Sequence, residues 1–214
     1  MLAGLSGVAY ANPTGPGLYL VDTANPLADV FIPISGGAAS YSGVVGSWTV
    51  GITTGTTISG GASPVLDLNI NSAVAGAGGG QLVVLYSDIN FGPTVGTATL
   101  TSSGSITSGS VNVTAGFNTG STAFGDFSNL AGLGPLAGMN FSGSTTALLN
   151  SLGSQYVLTF GDLISANPGA VITGLDTHIS FSSVPDSGMT LVLLGAGLVA
   201  LGFFAWVRKE QVQA

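Results

Sequence analysis

Apolar and polar residues alternate along most of the chain with a period of two, not the 3.6 of a helix. Trp48, Val50 and Ile52 are separated by threonine and glycine. The same alternation is found in residues 66–70 and 177–181. Because successive side chains of a β-strand point to opposite faces, this pattern predicts strands with one face in a core and one in solvent. Further strands are expected at 30–34, 96–101, 110–115 and 155–160.

One segment, residues 81–87, contains the continuous apolar run Leu-Val-Val-Leu-Tyr. Such a run is typical of a central strand that is buried on both faces. Glycine-rich turn clusters separate the predicted strands, for example at 76–80 and 107–109. About eight short strands of this kind predict an all-β fold, an antiparallel β-sandwich that is jelly-roll-like. A closed barrel is the alternative.

Residues 117–153 do not show this alternation of apolar and polar positions. Apolar side chains recur there at spacings of three between Phe124 and Met139. The spacing is compatible with one or two short helices, or with an apolar loop that covers a sheet edge. We expect the covering loop. The functional alternative is a loop that presents aromatic side chains to a carbohydrate, because long loops often carry function.

Near the C-terminus, residues 189–207 contain no charged side chain. As a helix rising about 1.5 Å per residue, this segment reaches roughly 28 Å, close to the hydrocarbon thickness of a bilayer. Arg208 and Lys209 follow directly and are the only basic residues of the chain. The positive-inside rule therefore predicts a transmembrane helix with the tail 208–214 in the cytoplasm and the preceding residues outside it.

The N-terminal residues resemble the end of a signal peptide. Ala9 and Ala11 supply the small side chains that a signal peptidase requires at alternate positions. We therefore expect residues 1–11 to be the remnant of a signal peptide, with Asn12 as the first mature residue. No basic residue precedes the short apolar stretch, so we also expect either that the true start codon lies further upstream or that the sequence is a fragment of a longer chain.

Between the β-domain and the predicted helix lies the sequence Val184, Pro185, Asp186, Ser187, Gly188. Pro185 blocks helix formation and Gly188 loosens the backbone, which favours an extended, accessible segment. The order of this motif, an apolar helix and the pair Arg208–Lys209 resembles the C-terminal sorting signal of PEP-CTERM proteins, in its VPDSG variant. The resemblance covers about the last 30 residues.

This resemblance implies an exported protein of a Gram-negative bacterium, anchored in the inner membrane by its helix. It further implies processing near the motif by an exosortase, a transpeptidase-like membrane enzyme, and then a place at the cell surface or in the extracellular matrix, in association with exopolysaccharide. The predicted organisation is then an extracytoplasmic domain over 12–183, a sorting motif at 184–188, a helix over 189–207 and a tail.

Charge excludes some functions. Charged residues make up 5% of the chain, the net charge is −7, and there are only 2 Lys and Arg residues. Nucleic-acid binding depends on basic side chains that neutralise phosphates, so it is not expected. Cysteine is absent, which excludes disulfides, thiolate nucleophiles and thiolate metal sites.

The chain contains few side chains that could act as a catalytic acid, base or nucleophile. The sole histidine, His178, falls on the polar side of its strand, as does Asp176, and the aspartates are scattered singly. We therefore predict no catalytic residues. Asp67–Asn69 and Asp88–Asn90 offer paired oxygen ligands for calcium, but neither belongs to a calcium-loop pattern. We predict no metal and no other cofactor.

Three functions are then compared. The favoured one is a non-enzymatic surface or matrix protein. The second is a lectin-like carbohydrate-binding module, for which an exposed aromatic row would be needed, and the third is a hydrolase of matrix polysaccharide, for which two aspartates within about 10 Å in a cleft would be needed. The aromatic residues available for the second function are Tyr19, Tyr41, Trp48, Tyr86 and Tyr156.

Overall fold

The computed structural model describes residues 13, 15–58, 64–92, 94–120, 122–124, 128–152, 155–183 and 194. The chain divides into two compact units, Met1–Ser182 and Ser183–Ala214. The first unit is the β-domain. The second contains most of the predicted sorting motif, helix and tail, and nearly all of it lies outside the described residues.

Within the described residues the chain forms twelve β-strands and one short 3-10 helix, Pro26–Ala28. The strands are β1 (Gly17–Asp22), β2 (Val30–Pro33), β3 (Ala38–Val45), β4 (Trp48–Ile58), β5 (Val65–Val74), β6 (Gly80–Phe91), β7 (Thr94–Ile106), β8 (Gly109–Asn118), β9 (Ser128–Leu136), β10 (Phe141–Leu152), β11 (Tyr156–Ala166) and β12 (Val171–Ser183).

In the described part of the chain, these strands form two antiparallel sheets of six strands each. Sheet A has the order β2-β1-β6-β11-β8-β9, and sheet B has the order β10-β7-β12-β5-β4-β3. From β5 onward the chain passes repeatedly from one sheet to the other, except at the β8–β9 hairpin. Two facing sheets confirm the predicted antiparallel sandwich and exclude the closed barrel.

The core lies between the inner faces of the two sheets. Its largest fully buried side chains include Trp48, Tyr86, Phe91, Tyr156 and Phe160. Phe91 stacks on Tyr156 at a ring separation of 5.4 Å, and Tyr86 lies 6.0 Å from Phe160. The alternation in the sequence thus correctly marked which side chains face inward, for example Trp48 in β4.

One close approach across the core requires a glycine. The Tyr86 hydroxyl donates to the carbonyl oxygen of Gly55 over 3.1 Å, and a Cβ at Gly55 would lie 2.5 Å from the Tyr86 ring. No side chain fits at that distance. Gly55 therefore allows an aromatic ring of sheet A to reach the backbone of sheet B.

A smaller apolar cluster lies on the outer face of sheet A. Tyr19, Val21 and Val83 are buried there, and Phe124 packs against them from the β8–β9 connection. The Phe124 ring meets that of Tyr19 edge-on at 6.0 Å. Val83 is therefore covered on the outer face while its neighbours in β6 point into the core, which confirms the prediction that 81–87 is a central strand buried on both faces.

The eight strands predicted from the sequence are all present, most of them extended by several residues. The prediction for residues 117–153 is wrong in its main point, because this segment contains strands β9 and β10 in addition to the connection that carries Phe124. Strands β1 and β3 were also not predicted.

Candidate functional site

The outer face of sheet B is covered with small hydroxyl side chains. Strand alternation places the polar residue of each pair outward, and the strand register aligns these positions, as in Ser144 opposite Thr101 and Thr146 opposite Thr99. We call this surface the Ser/Thr face. Its members are Ser42, Thr49, Thr56, Asp67, Asn69, Ser72, Thr97, Thr99, Thr101, Ser103, Ser142, Ser144, Thr146, Thr173, Asp176, His178, Ser180 and Ser182.

The ionisable members of this face are brought together on its two central strands. His178 of β12 lies directly opposite Asp67 of β5, and Asp176 lies opposite Asn69. The Nδ1 atom of His178 is 2.8 Å from the Thr101 hydroxyl of β7. A cluster with charge and several hydrogen-bonding groups therefore lies in the middle of an otherwise uncharged surface.

One carboxyl group of this cluster has a shifted pKa. The pKa of Asp67 is raised, first by partial burial, and then by the charge of Asp176 and a hydrogen bond with it. The charge of His178 acts in the opposite direction. The carboxyl groups of the cluster offer hydrogen-bond acceptors, and the Thr101 hydroxyl beside them can donate as well as accept.

This arrangement differs from that of a glycoside hydrolase. The two carboxyl groups of such enzymes are separated by about 5 to 5.5 Å or by about 6.5 to 9.5 Å, leaving room for the scissile bond or for a water molecule. Asp67 and Asp176 lie diagonally across the β5–β12 pair, on the outer face of one sheet. Two carboxyl groups on one sheet face are not placed on opposite sides of a scissile bond.

The aromatic residues considered for a lectin-like site are mostly inside the protein. Trp48 and Tyr86 are 0% exposed, Tyr156 1% and Tyr19 3%. Tyr41 is half-buried, and its hydroxyl donates to the carbonyl oxygen of Val44 over 2.9 Å. Trp48, Tyr86 and Tyr156 contribute to the core, and Tyr19 is buried in the cluster on the outer face of sheet A. These rings therefore do not form the exposed aromatic row that was considered.

Behind the Ser/Thr face, a line of polar groups crosses the core. Thr177 points inward, between the outward-facing Asp176 and His178, and its hydroxyl lies 3.1 and 3.3 Å from the two carboxyl oxygens of Asp162. The Ser102 hydroxyl is 3.0 Å from that of Thr177. Burial raises the pKa of Asp162 to about 7. This carboxyl is wholly enclosed and has no direct route to a ligand.

At one end of the face, Gly174 of β12 adopts a φ of +56°, and a shallow depression of about 450 Å³ lies beside it. Its lining is Ser103, Gly104, Ser105, Asn140, Phe141, Thr173 and Gly174. Two of these residues, Ser103 and Thr173, also belong to the Ser/Thr face. The depression therefore continues that surface.

The residues considered for calcium are placed on strands. Asp67 and Asn69 lie on the outer side of β5, and Asp88 and Asn90 lie in β6. Asp88 accepts a hydrogen bond from the backbone N–H of Ile89 at 2.7 Å. Among the residues that the structure describes, no three His, Asp or Glu side chains are grouped so as to hold a metal ion.

The predicted processing and sorting residues lie outside the described residues. These are Ala9, Ala11, Val184, Pro185, Asp186, Ser187, Gly188, Arg208 and Lys209. The predicted helix 189–207 is likewise undescribed apart from Leu194. Among the described residues, none of the helices has both the length and the apolar character needed to cross a membrane.

The sequence analysis did not predict that Asp67 and His178 lie opposite each other on neighbouring strands. Each residue falls on the polar phase of its strand, which was recognised, and Asp176 was correctly placed on the same strand face as His178. No sequence pattern shows that β5 and β12 are neighbours. The one available signal was that both strands carry an acidic residue on the phase opposite the core.

No model of a known protein family matches the sequence, and no curated protein matches it either. Some solved structures are partly similar. The K1 cleaved adhesin domain of Lys-gingipain from Porphyromonas gingivalis W83 shares 12% identity at a TM-score of 0.37, over 71% of this chain and 94% of that one.

A carbohydrate-binding module of Cellvibrio mixtus lichenase 5A, in complex with cellotriose, shares 9% identity at a TM-score of 0.32, over 77% of this chain and 97% of its own. TmCBM61, in complex with β-1,4-galactotriose, shares 9% identity at a TM-score of 0.33, over 66% of this chain and 92% of its own. All three likenesses are partial.

Proposed function

We propose that this chain is an exported, non-enzymatic surface protein whose β-sandwich binds an uncharged polysaccharide on the Ser/Thr face. The observation that carries the proposal is that hydroxyl side chains occupy most outward positions of one sheet face, with Asp67, Asn69, Asp176 and His178 at its centre. Polysaccharide is a ligand with many hydroxyl groups, and each of these donates and accepts hydrogen bonds as the face does.

The chemistry of the face disfavours other classes of ligand. It lacks the basic residues that bind phosphates, because the only two cations of the chain are Arg208 and Lys209. Its exposed apolar members are few, Val44 and Leu148 among them, so it does not offer the large apolar patch of a lipid-binding or obligate protein interface. Acidic polymers would meet the aspartates without a compensating charge.

The hydrolase alternative is less well supported. Asp67 and Asp176 lie on neighbouring strands of one sheet surface, whereas hydrolysis uses two carboxyl groups on either side of the bond that breaks. Binding without cleavage therefore fits the cluster better.

The sequence at the C-terminus supports the export part of the proposal. Val184 to Gly188, the apolar segment and Arg208–Lys209 follow one another in the order of a sorting signal. We propose that the segment 189–207 anchors the protein in the inner membrane, and that an exosortase processes it near the motif before it reaches the cell surface. Mass spectrometry of the mature protein from its host tests this, with Asn12 expected as the N-terminus and a C-terminus close to Gly188. Retention of residues 1–11 and 189–214 on surface protein would contradict it.

Binding is tested with the full chain by affinity electrophoresis in gels that contain a neutral glucan, xylan or galactan, with polygalacturonate as the anionic comparison. We expect retardation by at least one neutral polymer and none by polygalacturonate. The double variant Asp176→Ala, His178→Ala should weaken binding by about tenfold or more, equivalent to roughly 1.4 kcal/mol.

Asn129→Ala is the matched control, because Asn129 is an exposed polar residue of sheet A. Its binding should equal that of the parent. The proposal fails if none of the neutral polymers retards the protein, or if the double variant and the control behave alike.

A further inference from the structure

The four outermost strands of the two described sheets differ in how well they are protected against pairing with another strand. A free edge exposes unpaired N–H and C=O groups, and proteins normally block it with short strands, proline, bulges or charge. In the described part of the chain, the edges are β2 and β9 in sheet A, and β10 and β3 in sheet B.

Three of these edges carry such protection. Strand β2 has 4 residues and ends at Pro33. Strand β9 contains Pro135, and its register with β8 shifts at two places. The register of β3 with β4 also shifts, between Ala39 and Tyr41. Each of these irregularities interrupts the row of backbone groups that a new strand would need.

Strand β10 has the longest regular stretch of the four, and its one register shift with β7, between Leu149 and Leu152, lies at its end. It is 12 residues long, and its register with β7 is unbroken from Phe141 to Leu149. Its sequence, FSGSTTALLNSL, contains no proline and no charged residue. Leu148 is 80% exposed on its outer side. Among the described residues, β10 pairs with β7 alone.

We propose that the β10 edge is the site at which two copies of this chain associate, with β10 pairing antiparallel to β10 of the second copy. A strand that adds to this edge must itself present a regular free edge, and among the described edges of this chain β10 offers the longest one, from Phe141 to Leu149. Antiparallel pairing of a strand with its own copy satisfies a two-fold axis, which is the commonest symmetry of homodimers. The absence of charge in β10 means that no like charges are opposed across the axis.

The strand faces restrict the register. A two-fold axis perpendicular to the sheet keeps both Ser/Thr faces on the same side, so outward residues must oppose outward residues. The outward residues of β10 are Ser142, Ser144, Thr146 and Leu148. With Thr146 on the axis, residues 143–149 of the two copies pair within the regular stretch, and Leu148 lies opposite Ser144 of the second copy. The two Ser/Thr faces then form one continuous surface.

The chain contains no cysteine, so a single introduced cysteine reports this contact without background. The full chain is purified in a non-ionic detergent, and single variants Thr146→Cys and Thr99→Cys are oxidised mildly. Adjacent strands are about 4.8 Å apart, within reach of a disulfide, whereas Thr99 on β7 would be about three strand spacings, or about 14 Å, from its copy. We expect Thr146→Cys to form a covalent dimer at least tenfold faster than Thr99→Cys.

A second measurement uses charge. Thr146→Lys places two ammonium groups opposite each other on the axis, while Thr99→Lys adds the same charge one strand inward. By size-exclusion chromatography with light scattering, the parent and Thr99→Lys should have twice the monomer protein mass, and Thr146→Lys the monomer mass. Circular dichroism checks that both variants are folded.

A parent that is monomeric at all concentrations overturns the proposal, as does a mass that grows without limit, since that indicates open-ended pairing and not a two-fold dimer. Equal cross-linking of the two cysteine variants overturns it as well. Because neither readout involves polysaccharide, failure here is distinguishable from failure of the binding proposal.

Discussion

Asp162 is a carboxyl group placed in the core between two sheets, with the hydroxyl of Thr177 as its hydrogen-bonding neighbour. Burial disfavours the charged form and is the largest cause of its raised pKa, about 7; the charge of Asp176 adds to the effect, and the Thr177 hydrogen bond opposes it. In the unfolded chain the pKa returns to 3.8. The folded state therefore binds this proton more tightly.

The free energy of unfolding should therefore fall as the pH rises. The contribution of protonated Asp162 is fully present below about pH 4 and is lost as the pH rises through about 7, by roughly 4 kcal/mol in total. Asp162→Asn should remove this dependence and be more stable than the parent at pH 8. Urea unfolding between pH 4 and pH 8 measures it.

Asp88→Asn is the control, because its amide oxygen can still accept the hydrogen bond from Ile89. The free energy of unfolding of this control should change with pH as steeply as that of the parent. Parallel curves for Asp162→Asn and the parent would show that Asp162 does not carry the effect.

Trp48 and His178 represent the two faces of sheet B. Trp48 is 0% exposed in the core, whereas His178 is half-buried on the outer face. Trp48→Ala should lower the free energy of unfolding by about 3 to 5 kcal/mol because it leaves a large cavity. His178→Ala should lower it by less than about 1 kcal/mol, since it loses one partly solvated hydrogen bond. Chemical denaturation of both variants checks this, and comparable losses would contradict the assigned faces.

At the scale of elements, the β3–β4 hairpin is held to the end of β1 by a buried carboxylate. Asp22 accepts hydrogen bonds from the Ser47 backbone N–H at 2.8 Å, the Ser47 hydroxyl at 2.9 Å and the Ala24 N–H at 3.0 Å. Gly46 adopts a φ of +57° beside it, and a Cβ there would collide with the Asp22 carboxylate. The turn therefore requires glycine for both its conformation and its space.

Asp22→Ala should destabilise the domain by about 3 kcal/mol, because it leaves buried N–H groups without an acceptor. Ser47→Ala, which removes one hydroxyl and keeps the backbone bond, should cost about 1 kcal/mol. Thermal and urea unfolding give both values. If the two variants lose equal stability, the carboxylate does not hold the hairpin as described.

The strands that were not predicted have features that conceal the period of two. The inward residues of β10 include Gly143, Thr145 and Ala147, which are too small or too polar to stand out from their neighbours. In β9, register shifts move residues from one face to the other, so that leucines recur at spacings of three. Bulges arise from pairing with another strand, and the sequence of β9 alone does not show them.

At the scale of the whole molecule, the first compact unit ends at Ser182, just before the predicted sorting motif. Residues 12–183 should therefore fold alone, since the two sheets bury their inner faces against each other and the apolar segment 189–207 is not needed for that core. Circular dichroism should show a β-spectrum and a cooperative melt, unchanged by EDTA. A random-coil spectrum, or a melting temperature that falls on chelation, would contradict this.

The sequence by itself determined the all-β class, the inward or outward side of most strand residues, and the absence of Lys and Arg from the β-domain. These are local or compositional properties: the period of two follows from strand geometry, and phosphate binding requires basic residues that the β-domain lacks. Eight strands could be recognised for this reason, and with them the polar phase that becomes the Ser/Thr face.

Only the tertiary structure decided which strands are neighbours. Asp67 and His178 are far apart in the chain and meet because β5 pairs with β12. The same holds for Tyr86, which is buried against Gly55 because β6 and β4 face each other across the core. It also holds for β10, which became an edge because the strand order places β7 on one side of it alone. Strand order and register depend on contacts between distant segments, and a periodic pattern within one segment carries no information about its partner.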